Sequence, residues 1–173
     1  MTRSRWLSVI AGTVVMSSVA STAGADRVSG LLTRTYVMVE DTDLVGDVTC
    51  DVVGGPCFSF GAPGIQLRLN GFTITGKADP VTGCAGTRQP LEFGISTNNQ
   101  NYVQVRGPGL VQRFRNNGVF VTGSTGARVD DLNASTNCGS GILIAANSFE
   151  TLVQHNVAVR NGSSDPGAAC GGI

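Results

Sequence analysis

Residues 118–144, GVFVTGSTGARVDDLNASTNCGSGILI, contain the pattern that decides the fold. A glycine followed by an apolar residue opens this stretch and recurs near its end, and the same pair begins similar segments elsewhere in the chain. These pairs are Gly64-Ile65, Gly94-Ile95, Gly118-Val119, Gly141-Ile142 and Gly172-Ile173. The second, third and fourth glycines follow one another at nearly equal distances, which indicates the basic unit of a repeat, whereas the first and last intervals are longer.

Apolar residues alternate within each unit, which predicts short strands with one buried side. The first strands have the inward sets Ile65, Leu67 and Leu69; Val119 and Val121; and Ile142 and Ile144. A second strand follows at 102–107, 127–131 and 150–154, and a third begins as GLVQRF or NVAVRN. About 23 residues with three strands make one turn of a triangular coil, so stacked coils place like residues about 4.8 Å apart. We therefore expect one inward column of Ile65, Ile95, Val119 and Ile142.

The two longer intervals contain extra polar or cysteine-containing segments, KADPVTGCAGTRQP at 77–90 and SSDPGAACG at 163–171. Insertions into a repeat belong in loops that leave the regular stack. The chain stops at Gly172-Ile173, where a new strand is due. We therefore expect a truncated or incomplete sequence.

The repeats resemble those of the right-handed parallel β-helices of the pectate-lyase-like superfamily. The runs that carry the resemblance are GIQLRLNGFTITG, NYVQVRGPGLVQRF, NNGVFVTGSTGARVDDLNAS and GILIAANSFETLVQHNVAVRN, and together they cover roughly residues 58–173. The resemblance implies an all-β fold, a right-handed parallel β-helix with coils of about 23 residues. Residues 26–57 resemble the segment that precedes the first coil, and we expect them to add a strand and cap the open end.

The first 25 residues have the pattern of a secretory signal peptide. Arg3 and Arg5 form the basic region, Trp6–Ala20 the apolar region, and Ala23-Gly24-Ala25 the cleavage site. Its removal leaves residues 26–173, with ten basic and twelve acidic side chains and no stretch apolar enough to span a membrane. We expect a secreted or periplasmic protein.

Charge is unevenly distributed along the mature chain. Six acidic residues and two arginines lie between Asp26 and Asp51, whereas residues 93–129 contain four arginines and no acid. A basic middle next to an acidic start can attract an anionic ligand. The alternative is four solvated arginines scattered over the surface. A net charge of −2 predicts no nucleic-acid partner.

All five cysteines lie in the exported part, where disulfides form. Cys50 and Cys57 bracket the turn-rich segment DVVGGP and are predicted to be bonded. At most one further bridge is expected among Cys84, Cys138 and Cys170; the last two fall near one corner of neighbouring coils, where a bond between them is feasible. A metal site is disfavoured because there is no CxxC motif and only one histidine.

Three residues are candidates for acid–base chemistry: Asp130, Asp131 and His155. The adjacent carboxylates of Asp130 and Asp131 resemble those that pectin hydrolases of this superfamily use as acid and base. The other motifs of those enzymes are absent from this sequence. In addition, neighbouring residues of a strand point to opposite faces, whereas glycoside hydrolysis needs two carboxylates at a defined separation. A salt bridge and a turn are the alternative roles. His155 is a candidate base for a uronate lyase or epimerase, or else a turn residue. No cofactor is expected; a calcium site has no support because no acidic trio shares a column.

Arg106, Arg128 and Phe120 are the candidate substrate-binding residues, because each points outward from its predicted strand. Arg106 shares an outward column with Asp130, and Arg128 shares one with Gln104, so an anionic sugar can lie along the columns. An ion pair between Arg106 and Asp130 is the simpler alternative. Phe120 can stack on a sugar ring, or a loop can cover it.

Two classes of function follow from these residues. The first is a protein that binds or processes an extracellular or cell-wall polysaccharide, and if it is an enzyme it is a lyase, an epimerase or a glycosidase. The second is a non-catalytic surface, adhesion or scaffold protein. The outward residues of the predicted first strands, Gln66, Ser96, Phe120 and Leu143, include no acid or base, which favours the second class.

Overall fold

The computed structural model describes residues 24–78, 89–145, 147–162 and 172. Within these ranges the chain forms thirteen β-strands and no helix. In chain order they are β1 (Asp26–Leu32), β2 (Tyr36–Met38), β3 (Thr42–Cys50), β4 (Phe58–Phe60), β5 (Gln66–Arg68), β6 (Thr73–Thr75), β7 (Ile95–Ser96), β8 (Gln104–Gln112), β9 (Val119–Val121), β10 (Arg128–Ser135), β11 (Ile142–Ile144), β12 (Leu152–Gln154) and β13 (Val157–Val159). The prediction of an all-β protein is confirmed.

The strands form two parallel sheets. The five-stranded sheet has the order β11-β9-β7-β4-β2, and the eight-stranded sheet has the order β1-β3-β5-β8-β10-β12, with β6 beside β3 and β8 and β13 beside β10. The chain alternates between the two sheets, except that β5 and β6, and likewise β12 and β13, follow one another within the eight-stranded sheet. The segment 26–57, which we expected to cap the repeats, supplies β1, β2 and β3 at one end of both sheets.

Register within the sheets follows the predicted repeat. Arg128 of β10 pairs with Gln104 of β8 and with Leu152 of β12, each one repeat away in the sequence. In the five-stranded sheet, Val119 pairs with Ile95 on one side and with Ile142 on the other. Like residues therefore stack, which allows every inward position to be filled by the same kind of apolar side chain.

The core lies between the two sheets and consists of these stacked inward residues. Ile95, Val119 and Ile142 are fully buried, as the alternation predicted. The placement of Ile65 in that column is wrong, because it precedes β5 and lies on the eight-stranded sheet, while Phe58 pairs with Ile95. The interval between Gly64 and Gly94 is thus not one repeat.

A β-bulge joins the second and third predicted strands into one long strand in β8 and in β10. In β10 the register slips between Asp130 and Leu132, so Asp131 lies outside the ladder with φ of 60°. Opposite it, a Cβ on Gly107 would overlap the Asp131 carbonyl oxygen, so only glycine fits there. The extra residue belongs to β8, because Gly107 and Pro108 together face Asp131 alone, and beyond the bulge Leu132 is buried.

Asparagine amides hold the next corner. The Asn137 side chain accepts a hydrogen bond from the Phe114 backbone N–H (3.0 Å), and that of Asn161 accepts one from the Asn137 N–H (3.0 Å). Their amides also contact each other at 3.1 Å. Asn116 is not part of this ladder, since its amide donates to the carbonyls of Gln89 and Pro90.

The predicted disulfide between Cys50 and Cys57 is present, with the two α-carbons 5.8 Å apart. Cys138 is also disulfide-bonded. Cys84 and Cys170 lie outside the described residues, as do most of the predicted leader and most of both insertions. In the part of the chain that the structure describes, no helix is long and apolar enough to cross a bilayer.

Candidate functional site

The outward side of β3, β5, β8, β10 and β12 carries most of the candidate residues, and we call it the polar face. Its side chains point away from the core because they alternate with buried residues such as Leu67, Val105 and Val129. Parallel pairing arranges them in two columns. One column is Asp43, Arg68, Arg106, Asp130 and Gln154; the other is Gln66, Gln104, Arg128 and Leu152.

The β3 end of the polar face is neutralised by a network around Arg68. Its guanidinium contacts Asp43 Oδ1 and Asp41 Oδ2, each at 2.8 Å. These contacts raise the pKa of Arg68 above its ordinary value, chiefly through the hydrogen bond with Asp43. The Gln66 amide also donates to Asp41 at 2.8 Å. No formal charge of Arg68 is therefore left to attract an anion.

A cleft of about 410 Å³ lies beside this network. Its walls are Gly24, Ala25, Val39, Glu40, Asp41, Ile65 and Arg68. Glu40 and Asp41 supply more negative charge than Arg68 can balance, so an anionic ligand is disfavoured here.

At the other end of the polar face, Asp130 is held by two partners. Arg128 Nη2 lies 2.9 Å from Oδ2, and His155 Nδ1 lies 3.1 Å from Oδ1. The hydrogen bond with His155, followed by that with Arg128, lowers the pKa of Asp130 below its ordinary value. Asp130 is 9% exposed, whereas the side chain of His155 is 74% exposed. The structure thus brings together Asp130, Arg128 and His155, three of the predicted site residues.

Arg106 lies between the two neutralised ends. It pairs in register with Arg68 on β5 and with Asp130 on β10, as its spacing predicted. The ion pair with Asp130, which was the simpler of the two alternatives, does not form, because the Asp130 carboxylate contacts Arg128 and His155 instead. Arg106 is exposed, and among the described residues it takes part in no ion pair or side-chain hydrogen bond. It is the cation of this face with its charge still available.

Asp131 does not join Asp130 in an acid pair. It lies at the bulge of β10 with a left-handed backbone, and its side chain is exposed. Asp130 follows the regular alternation onto the polar face, whereas Asp131 falls outside it. The two adjacent carboxylates therefore have different surroundings, and only Asp130 contacts a histidine and an arginine.

Phe120 lies on the outward side of the five-stranded sheet. It pairs in register with Leu143, so the two side chains share one outward column. One side of its ring is stacked on Phe93, with centroids 4.4 Å apart and planes inclined by 21°. Phe93 therefore covers one face of the Phe120 ring and leaves less of it for a ligand. The Phe120 side chain is nevertheless only half-buried.

One charged pair was missed by the sequence analysis. Arg115 contacts Glu92 through two nitrogens, each 2.6 Å from a carboxylate oxygen, and the Glu92 side chain is 6% exposed. Glu92 Oε1 also accepts the Gly54 N–H at 3.0 Å, which fastens the disulfide loop to the repeats. Glu92 and Arg115 are separated in sequence by one repeat, so spacing was the signal for their contact.

Among the described residues, no group of three or more histidine, cysteine, aspartate or glutamate side chains is arranged to hold a metal ion. The polar face presents guanidinium, carboxylate and amide groups, with the imidazole of His155 at its edge. Comparison with protein families, with curated proteins and with solved structures finds no match for this chain.

Proposed function

We propose that this chain is a secreted or periplasmic right-handed parallel β-helix protein of the pectate-lyase-like type, and that its polar face binds an anionic extracellular polysaccharide. One observation carries the proposal. Among the described residues, Arg106 is exposed and has no ion-pair partner, and it lies in the middle of an in-register polar surface. The sequence pattern of the leader and the disulfide support export.

The β-helix is supported by the path of the chain between parallel strands. Equivalent strands recur once per repeat in β8, β10 and β12, and each return passes through the other sheet. Parallel strands joined by such crossovers are right-handed in about 98% of cases, because strand twist favours that sense. Repetition of the same step winds the chain into a right-handed coil.

An anionic polymer suits the polar face for reasons of charge and shape. Arg106 presents a planar, permanently charged group that can bind a carboxylate through two hydrogen bonds. Gln104 lies beside it on the adjacent outward column, and neighbouring strands repeat every ~4.8 Å, so further hydrogen-bonding groups follow along a flat surface. An extended chain can contact several of these groups at once.

Binding is proposed rather than cleavage because both carboxylates of the polar face, Asp43 and Asp130, already contact an arginine. Asp130 is bound by Arg128 and His155, and Asp131 lies off the face at the bulge. A glycosidase needs two carboxylates at a defined separation across one bond. Assays for reducing sugars and for unsaturated uronates test the enzymatic alternative.

The second candidate function is a non-catalytic scaffold or adhesion protein. It is favoured by the pairing of charges within the fold, since Arg68, Arg115 and Arg128 each contact a carboxylate. In that case regular stacking is itself the purpose, and Arg106 is a solvated surface residue.

Affinity electrophoresis of the full chain in gels containing polygalacturonate, alginate or neutral dextran tests the proposal. We expect one of the two anionic polymers to retard the wild-type protein and neutral dextran not to. Most of this retardation should be lost in Arg106→Gln and at high salt. The matched control is Arg34→Gln, an exposed arginine between β1 and β2. If Arg106→Gln and Arg34→Gln are retarded equally, or if no anionic polymer retards the wild type, the scaffold or adhesion function is favoured.

A further inference from the structure

The single histidine of the chain is held by one ring nitrogen only. His155 Nδ1 lies 3.1 Å from Asp130 Oδ1, and the side chain is otherwise 74% exposed. Among the described residues, Nε2 has no hydrogen-bond partner. His155 follows β12 with a left-handed backbone, φ 55°, directly after Gln154, which ends one column of the polar face. The free side of the imidazole therefore lies next to that face.

The contact with Asp130 decides which nitrogen carries the proton in the neutral ring. The second oxygen of Asp130 accepts a hydrogen bond from Arg128, and both contacts lower the pKa of Asp130, so the group is a carboxylate and can only accept. Nδ1 must therefore donate. The neutral imidazole then has its hydrogen on Nδ1 and a lone pair on Nε2, which repels the oxygen of an approaching anion.

We infer that His155 is a proton-controlled binding group of the polar face, so that anionic polysaccharide binds more tightly as the imidazole gains a proton on Nε2. This rests on the proposed function of the face. Protonation changes Nε2 from an acceptor to a donor and adds a positive charge two strands away from Arg106. The proton comes from solvent, and no other bond changes.

The other charged groups near His155 are two carboxylates and two arginines. On β10, Asp130 and Arg128 form the contacts described above, and Asp131 is an exposed carboxylate at the bulge. Arg106 on β8 is permanently charged. Gln154, the neighbour of His155 on β12, is uncharged. Among side-chain types, an imidazole is the one that ordinarily gains or loses its charge between about pH 5 and pH 8.

The tautomer is the first test, and it needs no ligand. Because the chain contains one histidine, ¹⁵N NMR of the imidazole gives a single pair of ring signals. We expect the Nδ1–H form to predominate in the wild type above neutral pH and to lose its preference in Asp130→Asn. Predominance of the Nε2–H form in the wild type would overturn the inference.

The second test is polymer binding between pH 8 and pH 5. The same gels should show about two- to fivefold tighter binding of polygalacturonate or alginate at pH 5, the range of one exposed ion pair. His155→Asn, whose asparagine tolerates the left-handed backbone, should bind at all pH values as the wild type does at pH 8. Arg34→Gln should keep the wild-type pH profile.

The outcomes separate the inference from the proposed function. Binding by the wild type that depends on Arg106 but not on pH would overturn the role of His155 and leave the polysaccharide proposal intact. A wild-type pH profile in His155→Asn would do the same. Absence of binding to any anionic polymer from pH 5 to pH 8 would overturn both.

Discussion

Arg106 and Asp130 are direct neighbours across two strands, yet their charges are not paired with each other. Asp130 turns to Arg128, two residues earlier on the same side of β10, and to His155 at the end of the next strand. Asp130 thus pairs with Arg128 on its own strand rather than with Arg106 on the adjacent strand. Arg106 is therefore left without an ion-pair partner among the described residues.

Replacement of Asp130 by asparagine should make stability depend less on pH. The folded pKa of Asp130 is lowered, chiefly by His155, so its carboxylate stabilises the fold above the unfolded pKa of about 3.9. That contribution is lost as the pH falls through the folded pKa. In urea unfolding, the wild type should exceed Asp130→Asn at pH 6 and converge with it in strong acid. Asp131→Asn, which removes an exposed neighbour, should match the wild type throughout.

Asn137→Ala should destabilise the protein by about 1–3 kcal/mol, because it leaves the buried Phe114 N–H without its acceptor. The matched control is Asn133→Ala, since Asn133 is exposed on the outward side of β10. Its effect should stay within about 0.5 kcal/mol. Urea midpoints measure both; equal midpoints for the two variants would contradict a structural role for the ladder.

Arg115→Met should cost about 3–5 kcal/mol in the free energy of unfolding, because it leaves the buried Glu92 carboxylate without its cation. The double variant Glu92→Gln with Arg115→Met removes the buried charge and keeps an acceptor for Gly54 N–H. It should therefore recover much of the loss. If the double variant is as unstable as Arg115→Met, packing rather than charge explains the effect.

Ile142→Ala should destabilise by about 2–5 kcal/mol, since Ile142 is fully buried against Val119. Ile144 lies on the same strand and the same side but is 40% exposed. Ile144→Ala should cost clearly less, because less apolar surface returns to water. Chemical denaturation decides between this ordering and equal losses, which would mean that both ends of β11 are equally buried.

The repeat itself could be predicted because stacking imposes a constant spacing. The pairs Gly94-Ile95, Gly118-Val119 and Gly141-Ile142 differ by one repeat, and their apolar residues are in register. The register of Arg106 with Asp130 followed from the same spacing. Ile65 was misplaced because its glycine–isoleucine pair imitates a strand start, whereas the true equivalent of Ile95, Phe58, follows a cysteine.

The partners of the charged residues were harder to predict. The disulfide followed from two cysteines around a turn-rich loop, a local feature. The choice of Asp130 between Arg106 and Arg128 depends on side-chain reach and on where His155 emerges from its corner. The bulge at Asp131 has no strong sequence signal, since its glycine partner, Gly107, lies a whole repeat away on another strand.

The sequence by itself determined the period, the inward side of most strands and which residues share an outward column, because these depend only on alternation and on equal spacing. Only the tertiary structure decided where the register of the sheet slips and which charges neutralise one another. Those outcomes depend on distances of about 3 Å, most of them between groups far apart in sequence, and a one-residue bulge moves a side chain to another face. This is why Arg68, Arg106 and Arg128, similar in the sequence, differ in the charge they leave exposed.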